Sequence, residues 1–322
     1  MKIFLTGCAG FVGWKTAELL LKEGHRVVGL DNLNDYYPPR LKQWRISQLQ
    51  SGNGFRFVEG ELGDRALLER LFSEEGFDAV INLAARAGVR PSIEQPQLYI
   101  ETNLTAATGL MEVTVANGVR KLVQASTSSV YAGQPAPFRE DQPVDCPLSP
   151  YAVSKKAAEV MAYTFHHLHG LDVSVVRYFT VYGPAGRPDM SPLKFTHRIA
   201  TGQAFPLYGD GEQSRDFTYV DDIASGTIAA LKPLGYEIIN LGGGNEPLSI
   251  NRMIQMLEEF LGKKSIIERH PFNEADMRDT AADISKARRL LGWEPRTAPA
   301  EGLKALADWY LANADWLSGL DI

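Results

Sequence analysis

The sequence predicts an α/β fold with a doubly wound parallel sheet, followed by a smaller C-terminal α/β domain. Apolar strand-like runs alternate with helical stretches through the first half of the chain, which is the rhythm of β-α-β units. A glycine-rich turn at 7–13 joins the first strand to the first helix, as is typical of Rossmann-like sheets. Together these two observations favour a parallel sheet with helices on both faces.

The composition is that of an ordinary globular protein. The 322 residues are 44% hydrophobic and 22% charged, which allows one large or two moderate domains with a full core. The net charge of -6 and the absence of a Lys/Arg run argue against a nucleic-acid or anionic-membrane partner. Cys8 and Cys146 are too few for a disulfide framework or a zinc site, so no metal is predicted. The chain begins directly with a strand, and no apolar run approaches about 18 residues, so we expect a cytoplasmic location.

The first strand, Lys2–Thr6, leads into a turn with glycines at every third position. These are Gly7, Gly10 and Gly13, and a helical pattern follows from Trp14 to Glu23. Glycines let the backbone turn tightly and approach a pyrophosphate, which would then lie against unpaired N–H groups at the helix N-terminus. The alternative is a tight turn with a packing glycine.

The second strand, Arg26–Leu30, ends at Asp31, where an acid can accept hydrogen bonds from the hydroxyls of an adenosine ribose. No arginine follows immediately, so NAD is favoured over NADP as the cofactor. The remaining pattern predicts strands at 55–58, 79–83 and 121–126 and helices at 64–74, 97–117 and 150–169.

Tyr151 and Lys155 are four residues apart in a helical pattern, so both side chains lie on one face of the helix. A free tyrosine has a pKa of about 10, so its use as a base near pH 7 requires roughly 4 kcal/mol. One ammonium about 5 Å away supplies on the order of 3 kcal/mol at an effective dielectric of about 20. A second positive charge is therefore implied. The alternative is a surface tyrosine beside a solvated lysine.

These motifs together resemble the extended short-chain dehydrogenase/reductase family of nucleotide-sugar enzymes. The resemblance covers nearly the whole chain and rests on Gly7, Gly10, Gly13, Asp31, Asn82-Leu-Ala-Ala85, Ser126-Thr-Ser-Ser-Val-Tyr131 and Tyr151-x-x-x-Lys155. It implies a tightly held NAD whose oxidised nicotinamide supplies the second positive charge near Tyr151. It also implies that Lys155 binds the nicotinamide ribose.

The resemblance implies specific residue roles in the first half of the chain. The catalytic residues would be Thr127, Tyr151 and Lys155. The cofactor contacts would be Gly7, Gly10, Phe11, Val12, Gly13, Asp31, Asn32, Leu62, Leu83, Ala84, Ala85, Asn103, Ser126, Tyr151, Lys155, Tyr178 and Val181. Glu61 stands where the family usually has Asp near the adenine, and Arg86 stands where it commonly has Gln.

The resemblance further implies an NAD-binding domain over 1–178 and a nucleotide-sugar-binding domain over 179–322, of which 217–245 is expected to return to the first domain. Arg215 is expected to reach the nucleotide diphosphate, since a fork of donors suits phosphate; the alternative is a surface pair with Asp216. Tyr208 and Phe205 lie where the family brackets uracil, although such aromatic residues are more often core. The implied substrate contacts are Arg90, Thr127, Ser128, Ser129, Thr180, Arg187, Lys194, Phe195, Tyr208, Arg215 and Arg278.

The residues after Thr127 narrow the reaction. Family members that remove water or carbon dioxide have an acid just after the catalytic Thr or Ser, because a carboxyl must move a proton at the neighbouring carbon. This chain has Ser128 and Ser129 there. Neither a 4,6-dehydratase nor a decarboxylase is therefore favoured, and the resemblance implies reversible hydride transfer at C4, which is 4-epimerisation.

Three segments, 31–37, 87–90 and 183–190, resemble the members that epimerise UDP-glucuronate, and Thr180 stands where many UDP-hexose epimerases have Asn. UDP-glucose is the alternative substrate, and an NAD-binding sensor without turnover is the alternative of another class. The helices at 97–117 and 150–169 match the pair that forms a four-helix bundle in the family, so a homodimer is expected.

Overall fold

The computed structural model describes residues 1–244, 247–272, 277–317 and 319–320. Its centre is a seven-stranded sheet in the order β11-β6-β5-β4-β1-β2-β3, and every neighbouring pair is parallel. The strands of this sheet are β1 (Lys2–Thr6), β2 (Arg26–Asp31), β3 (Phe55–Glu59), β4 (Ala79–Asn82), β5 (Lys121–Thr127), β6 (Asp172–Tyr178) and β11 (Tyr236–Leu241). The predicted fold class, a doubly wound parallel sheet, is confirmed.

The helices that cover this sheet and join its strands lie mostly in the first two thirds of the chain. They are α1 (Phe11–Lys22), α2 (Pro39–Gln50), α3 (Arg65–Glu75), α4 (Val89–Glu94), α5 (Pro96–Ile100), α6 (Ala106–Ala116), α7 (Pro150–His169) and α9 (Val220–Ala229). A π-helical segment, Glu101–Thr105, makes α5 and α6 continuous, and a 3₁₀ segment, Ser128–Tyr131, follows β5. Within the described chain, no helix is long and apolar enough to cross a membrane.

The rest of the chain forms smaller elements beside the carboxyl edge of the sheet. The strands there are β7 (Thr180–Tyr182), β8 (Ala204–Tyr208), β9 (Ser214–Arg215), β10 (Phe217–Tyr219), β12 (Leu248–Ser249) and β13 (Ile266–His270). The helices are α8 (Ser191–Thr201), α10 (Ile250–Leu261), α11 (Ser285–Leu291), α12 (Pro299–Ala312) and α13 (Ala314–Leu317).

Two features of the chain were not anticipated from its sequence. The helix α2 has few apolar residues and begins at a proline, so its periodicity is weak, yet Leu41, Ile46 and Leu49 pack into the core. The first helix begins at Phe11 rather than Trp14, since Gly10 serves as its N-cap.

Alternation along the strands divides the core into two layers. Ile3 and Leu5 of β1 belong to one buried cluster, and Phe4 between them belongs to the other, because successive side chains of a strand point to opposite faces. Each face is closed by helices: α3 and α6 supply Leu68 and Leu110 to the Phe4 side. A sheet buried on both faces fixes its register, and with it the positions of the residues at its carboxyl edge.

The strand β11 pairs with β6 along the edge of the sheet, with Tyr236 opposite Val173 and Leu241 opposite Tyr178. The helix before it, α9, packs on α1. These contacts support our proposal that residues within 217–245 belong with the first domain. The boundary between 178 and 179 remains a prediction.

Candidate active site

A cavity of about 500 Å³ opens at the carboxyl edge of the central sheet, where the strand order reverses between β1 and β4. Loops after adjacent strands run to opposite faces of the sheet at this point, which leaves a crevice in which doubly wound proteins bind ligands. Residues from the ends of β1, β2, β4, β5 and β6 line the cavity together with the start of α7.

The glycine turn leaves no space for side chains on its inner surface. Gly7 has φ 68°, and a Cβ at this position would lie 2.7 Å from the backbone nitrogen of Ala84. A Cβ on Gly13 would lie 2.0 Å from the carbonyl oxygen of Gly7. No side chain caps the N-terminus of α1, where Gly10, Phe11 and Val12 line the cavity. The turn therefore fits a pyrophosphate held by backbone N–H groups and the helix dipole.

Asp31 lies at the end of β2, the strand next to β1, and so stands beside the glycine turn. Its Oδ2 accepts a hydrogen bond from the Ala9 backbone N–H at 3.0 Å, and its Oδ1 accepts one from Leu33 N–H at 2.9 Å. These two bonds fix the carboxylate and leave further lone pairs on both oxygens for ribose hydroxyls. Beside it, Asn32 Nδ2 donates to both carboxylate oxygens of Glu61.

The cavity brings together nearly all the residues predicted to contact the cofactor. These are Gly7, Gly10, Phe11, Val12, Gly13, Asp31, Asn32, Leu62, Leu83, Ala84, Ala85, Ser126, Tyr151, Lys155, Tyr178 and Val181. The exception is Asn103, which does not line the cavity, and its cofactor contact stays a prediction. Asn103 is buried in the π-helical segment, where it accepts from Arg86 N–H at 2.8 Å and donates to Arg86 O at 2.9 Å. It holds the loop after β4 instead of facing the cavity.

Tyr151 and Lys155 project from the first two turns of α7. This helix begins at Pro150, and the Oγ of the N-cap Ser149 accepts a hydrogen bond from Ala152 N–H at 3.2 Å. Tyr151 therefore lies at the positive end of the helix dipole, which stabilises a phenolate. Thr127, Ser128 and Ser129 line the cavity from the end of β5.

Burial dominates the electrostatics of this pair. It raises the pKa of the Tyr151 phenol, and the Thr127 hydroxyl and the Arg187 charge oppose this effect. It lowers the pKa of the Lys155 ammonium to about 8, and the Glu159 charge opposes this effect. No hydrogen bond joins Lys155 Nζ to any residue in the described ranges, although the side chain is only 3% exposed. A buried ammonium with free donors fits the ribose of a bound dinucleotide.

A buried polar network behind Lys155 was not recognised in the sequence. Glu159 accepts two hydrogen bonds from Arg177, at 2.8 and 2.7 Å, and one from Ser126 Oγ at 2.6 Å. Arg177 also donates to Tyr131 Oη at 2.7 Å. The network joins α7 to β5 and β6, so the helix that carries the reactive pair is fixed against the sheet. Its only signal was that two charged residues, Glu159 and Arg177, stand at positions where the pattern is apolar.

The predicted substrate contacts divide into two groups. Thr127, Ser128, Ser129, Thr180 and Arg187 line the cavity. Thr127 Oγ1 donates to Ser129 Oγ at 3.1 Å, and Arg187 pairs with Asp189 through bonds of 3.0 and 2.5 Å. The residues that do not line it are Arg90, Lys194, Phe195, Tyr208, Arg215 and Arg278.

Four residues of the second group, Arg90, Tyr208, Arg215 and Arg278, lie around β8 and β9. The guanidinium of Arg90 lies 4.8 Å from the centre of the Tyr208 ring, and Arg215 donates to the backbone oxygen of Arg278 at 2.9 Å. Arg278 also pairs with Asp210 at 3.4 Å.

The Phe205 ring is fully buried and stacks on Phe195 at 4.3 Å, which agrees with the alternative interpretation of Phe205 as a core residue. Phe195 is 7% exposed, so its side chain also packs in the core, and the substrate contact of this residue stays a prediction. Lys194, next to it on α8, is partly buried outside the cavity.

Several cavity residues were missed because α2 was missed. Tyr37 and Lys42 line the cavity from its first turn and the loop before it. The ring of Tyr36 lies between two guanidinium groups, 5.8 Å from that of Arg86 and 5.6 Å from that of Arg187. The cavity therefore holds more cations than the sequence motifs indicated, which suits an anionic ligand.

The sheet order, the glycine turn and the Tyr151–Lys155 pair together define a dinucleotide-dependent enzyme of the short-chain dehydrogenase/reductase type. Residues 3–242 match the NAD dependent epimerase/dehydratase family, and the chain belongs to this family. The prediction of NAD as the cofactor is thereby confirmed.

Relatives and solved structures agree with this assignment. The chain is 54% identical over 318 residues to a UDP-glucuronate 4-epimerase of Thermodesulfobacterium geofontis. The aligned residues cover 99% of this chain and 98% of the relative. A crystal structure of UDP-glucuronic acid 4-epimerase from Bacillus cereus with UDP-glucuronic acid and NAD superposes with a TM-score of 0.91 at 36% identity, covering 97% of this chain and 99% of the other. The UDP-glucose 4-epimerase of Thermotoga maritima, with UDP-glucose, gives a TM-score of 0.88 at 30% identity, with 98% and 100% covered.

Proposed function

We propose that this protein is an NAD-dependent isomerase that converts UDP-glucuronate to UDP-galacturonate by 4-epimerisation. The observation that carries the proposal is the arrangement of Thr127, Tyr151 and Lys155 at the edge of a dinucleotide cradle, with hydroxyls and no carboxyl beside Thr127. The similarity to two UDP-glucuronate 4-epimerases over almost the whole chain supports it.

In this proposal Tyr151 accepts the proton of the 4-hydroxyl as C4 is oxidised. It returns the proton after the 4-keto sugar has rotated and presents the opposite face of C4 to the hydride. NAD, when bound, supplies the hydride acceptor and donor for C4 and a positive charge beside Tyr151. Lys155 and the N-terminus of α7 stabilise the phenolate in this proposal. The Thr127 hydroxyl and the Arg187 charge oppose the burial that raises the pKa of Tyr151. Thr127 holds the reacting oxygen by a hydrogen bond.

Other reactions of the family are less well supported, because none of the described residues that line the cavity offers a free carboxyl beside Thr127 and Tyr151. Among the described residues that line it, the carboxylates are Asp31, Glu61 and Asp189. Asp31 and Glu61 lie at the adenosine end, and Asp189 is held by two hydrogen bonds from Arg187. The serines after Thr127 cannot replace a carboxyl in moving a proton at carbon.

The uronate carboxylate is the second element of the proposal. Oxidation at C4 of a uronic acid gives a β-keto acid, which loses carbon dioxide when its C5–C6 bond aligns with the carbonyl π system. An epimerase must hold the carboxylate out of that alignment. We assign this role to the hydroxyls of Ser128, Ser129 and Thr180, with the guanidinium of Arg187, because all four line the cavity and form charge-assisted bonds to carboxylates.

For the nucleotide, we propose that Arg215 and Arg278 bind the diphosphate and that Tyr208 stacks on the base, with Arg90 beside it. The support is their clustering around β8 and β9, where Arg90 contacts the Tyr208 ring and Arg215 contacts the Arg278 backbone. Lys194 and the backbone of Phe195 would complete this site.

A homodimer is also proposed, in which α7 and the continuous helix over 96–116 form a four-helix bundle with a second copy. The support is an exposed apolar stripe on α7: Val153 is 42% exposed and Val160, two turns later, is 53% exposed. A cytoplasmic location remains a prediction.

The decisive experiment is incubation of the purified protein with UDP-glucuronate, UDP-glucose and UDP-xylose, with the products resolved by chromatography. We expect UDP-galacturonate from the first and little or no product from the others. Faster turnover of UDP-glucose would favour the alternative epimerase, which the Thermotoga maritima similarity supports. Bound NAD without any product would favour a sensor.

A further inference from the structure

We propose that Arg45 is a positioning residue that fixes Arg187 in the cavity by tying the loop before Arg187 to the glycine turn. Arg45 lies on α2 and is fully buried. Its guanidinium donates to Ala185 O at 2.7 and 3.2 Å, to Gly186 O at 3.0 Å and to Ala9 O at 3.0 Å. Three segments that are far apart in the chain therefore meet at one side chain.

Two of the carbonyls that Arg45 binds lie directly before Arg187 in the chain. Ala185 and Gly186 are the two residues that directly precede it, so the orientation of both peptide groups is set by Arg45. Ala185 has φ 52°, a left-handed conformation that costs free energy in a residue with a Cβ. Bonds from Arg45 to Ala185 O hold the chain in that conformation, since a relaxed Ala185 would rotate its carbonyl away.

A fifth bond links Arg45 to the aromatic side of the cavity. It donates to Tyr37 Oη at 2.7 Å, and the neighbouring Tyr36 ring faces the Arg187 guanidinium at 5.6 Å. The loop backbone and the ring under Arg187 are thus fixed from the same point. The charge of Arg187 is balanced by its bidentate pair with Asp189. Arg45 therefore controls the position of Arg187 and not its charge.

The chemistry of Arg45 also indicates a geometric role. No carboxylate in the described part of the chain forms an ion pair with it, and its donors are used on carbonyls and a phenol. Burying such a cation is costly, so an apolar side chain would fill the same space at lower cost. The planar guanidinium spreads its five donors over three nitrogens and so reaches carbonyls on separate segments, whereas the three donors of an ammonium all diverge from one atom.

The inference rests on the proposed function only in the role of Arg187, and its test has an arm that needs no turnover. Hydrogen exchange of peptides over 183–190 should become faster in Arg45→Lys, whereas the exposed Arg56→Lys should leave it unchanged. Unchanged exchange in Arg45→Lys would overturn the inference whatever the substrate. If Arg45→Lys does not fold, Tyr37→Phe removes one acceptor of the same side chain and should give a smaller increase in exchange; an unchanged rate would again overturn the inference.

The second arm is a double-mutant cycle on kcat/KM for UDP-glucuronate. Arg45→Lys should lower it roughly ten- to hundredfold, since small misplacements of a binding group have effects of this size. In an Arg187→Ala background the same substitution should change it less than about twofold, because the group it positions is gone. Independent, multiplying effects would show that Arg45 acts on another part of the site. Failure of the wild-type protein to convert UDP-glucuronate would contradict the proposed function but leave the exchange result intact.

Discussion

Lys155 and Glu159 lie one turn apart on α7, both almost fully buried, and the charge of Glu159 keeps the pKa of the Lys155 ammonium from falling further than about 8. Glu159 is in turn fixed by two bonds from Arg177. The pair shows how a carboxylate that does not face the cavity influences a cation that does.

Glu159→Gln should move the alkaline limb of the pH dependence of kcat/KM toward lower pH. The substitution removes the charge that raises the Lys155 pKa, so the ammonium loses its proton at a lower pH as the pH rises. Tyr131→Phe is the matched control, because it removes a neutral partner of Arg177 and should not shift the limb. Identical limbs in the two variants would contradict the prediction. An unpaired Arg177 costs about 3–5 kcal/mol, so the melting temperature of Glu159→Gln should also fall.

Tyr151→Phe should retain NAD and lower turnover by roughly two to four orders of magnitude, because it removes the proton acceptor and leaves the glycine turn intact. Turnover is measured with UDP-glucuronate, and NAD is quantified in the protein after denaturation. A variant with a rate close to wild type would rule out Tyr151 as the base.

Asp31→Ala should lower the amount of NAD that remains bound after purification. The carboxylate lines the cavity, and its bonds to Ala9 and Leu33 also shape the turn around the ribose. Asp31→Asn keeps a carbonyl oxygen for one of these bonds and should lose less NAD. Equal NAD content in wild type and both variants would argue against the ribose role.

Thr180→Ala and Ser129→Ala should release more carbon dioxide and UDP-4-keto-pentose per epimerisation event. Losing one charge-assisted hydrogen bond costs about 1.5–3 kcal/mol, which slows uronate turnover by roughly one to two decades and frees the carboxylate to rotate. The measurement is the ratio of decarboxylated to epimerised product. If this ratio is the same in wild type and variants, and the rates with UDP-glucuronate and with a neutral UDP-hexose fall equally, UDP-glucose would become the favoured substrate.

Val160→Glu should convert the dimer to a monomer, because it places a charge in the centre of the proposed bundle. Light scattering at micromolar concentration gives the mass of both proteins. Lys22→Glu, which changes the charge of an exposed residue on α1, outside the proposed bundle, serves as the comparison. A wild-type protein that is monomeric would remove the prediction.

The sequence predicted those parts of the site whose geometry depends on a short local motif. The glycine turn and the Tyr151–Lys155 spacing depend on neighbours within seven residues, so the chain alone specified their geometry. Arg45 and the Glu159–Arg177 pair could not be found in this way. Their partners lie 140 and 18 residues away, and only the packing of α2 and β6 brings them together.

The aromatic residues of β8 show what a short sequence segment does not indicate. Phe205 and Tyr208 are three residues apart on β8, so their side chains point to opposite faces; the Phe205 ring is in the core and Tyr208 is only partly buried. The sequence Ala204-Phe-Pro-Leu-Tyr208 does not indicate which face is buried, since the short strand pairs with β13, more than 50 residues later.

The return of β11 to the edge of the central sheet has a consequence for synthesis. When the first 200 residues have emerged from the ribosome, the nascent chain contains six of the seven parallel strands. The edge of β6 that later pairs with β11 is then unpaired, and unpaired edges are prone to pairing with other chains. The sheet is completed only when the ribosome has translated past Leu241, three quarters of the way along the message. During that interval the edge of β6 can pair with other chains, so this is the stage of synthesis at which the sheet is most open to aggregation.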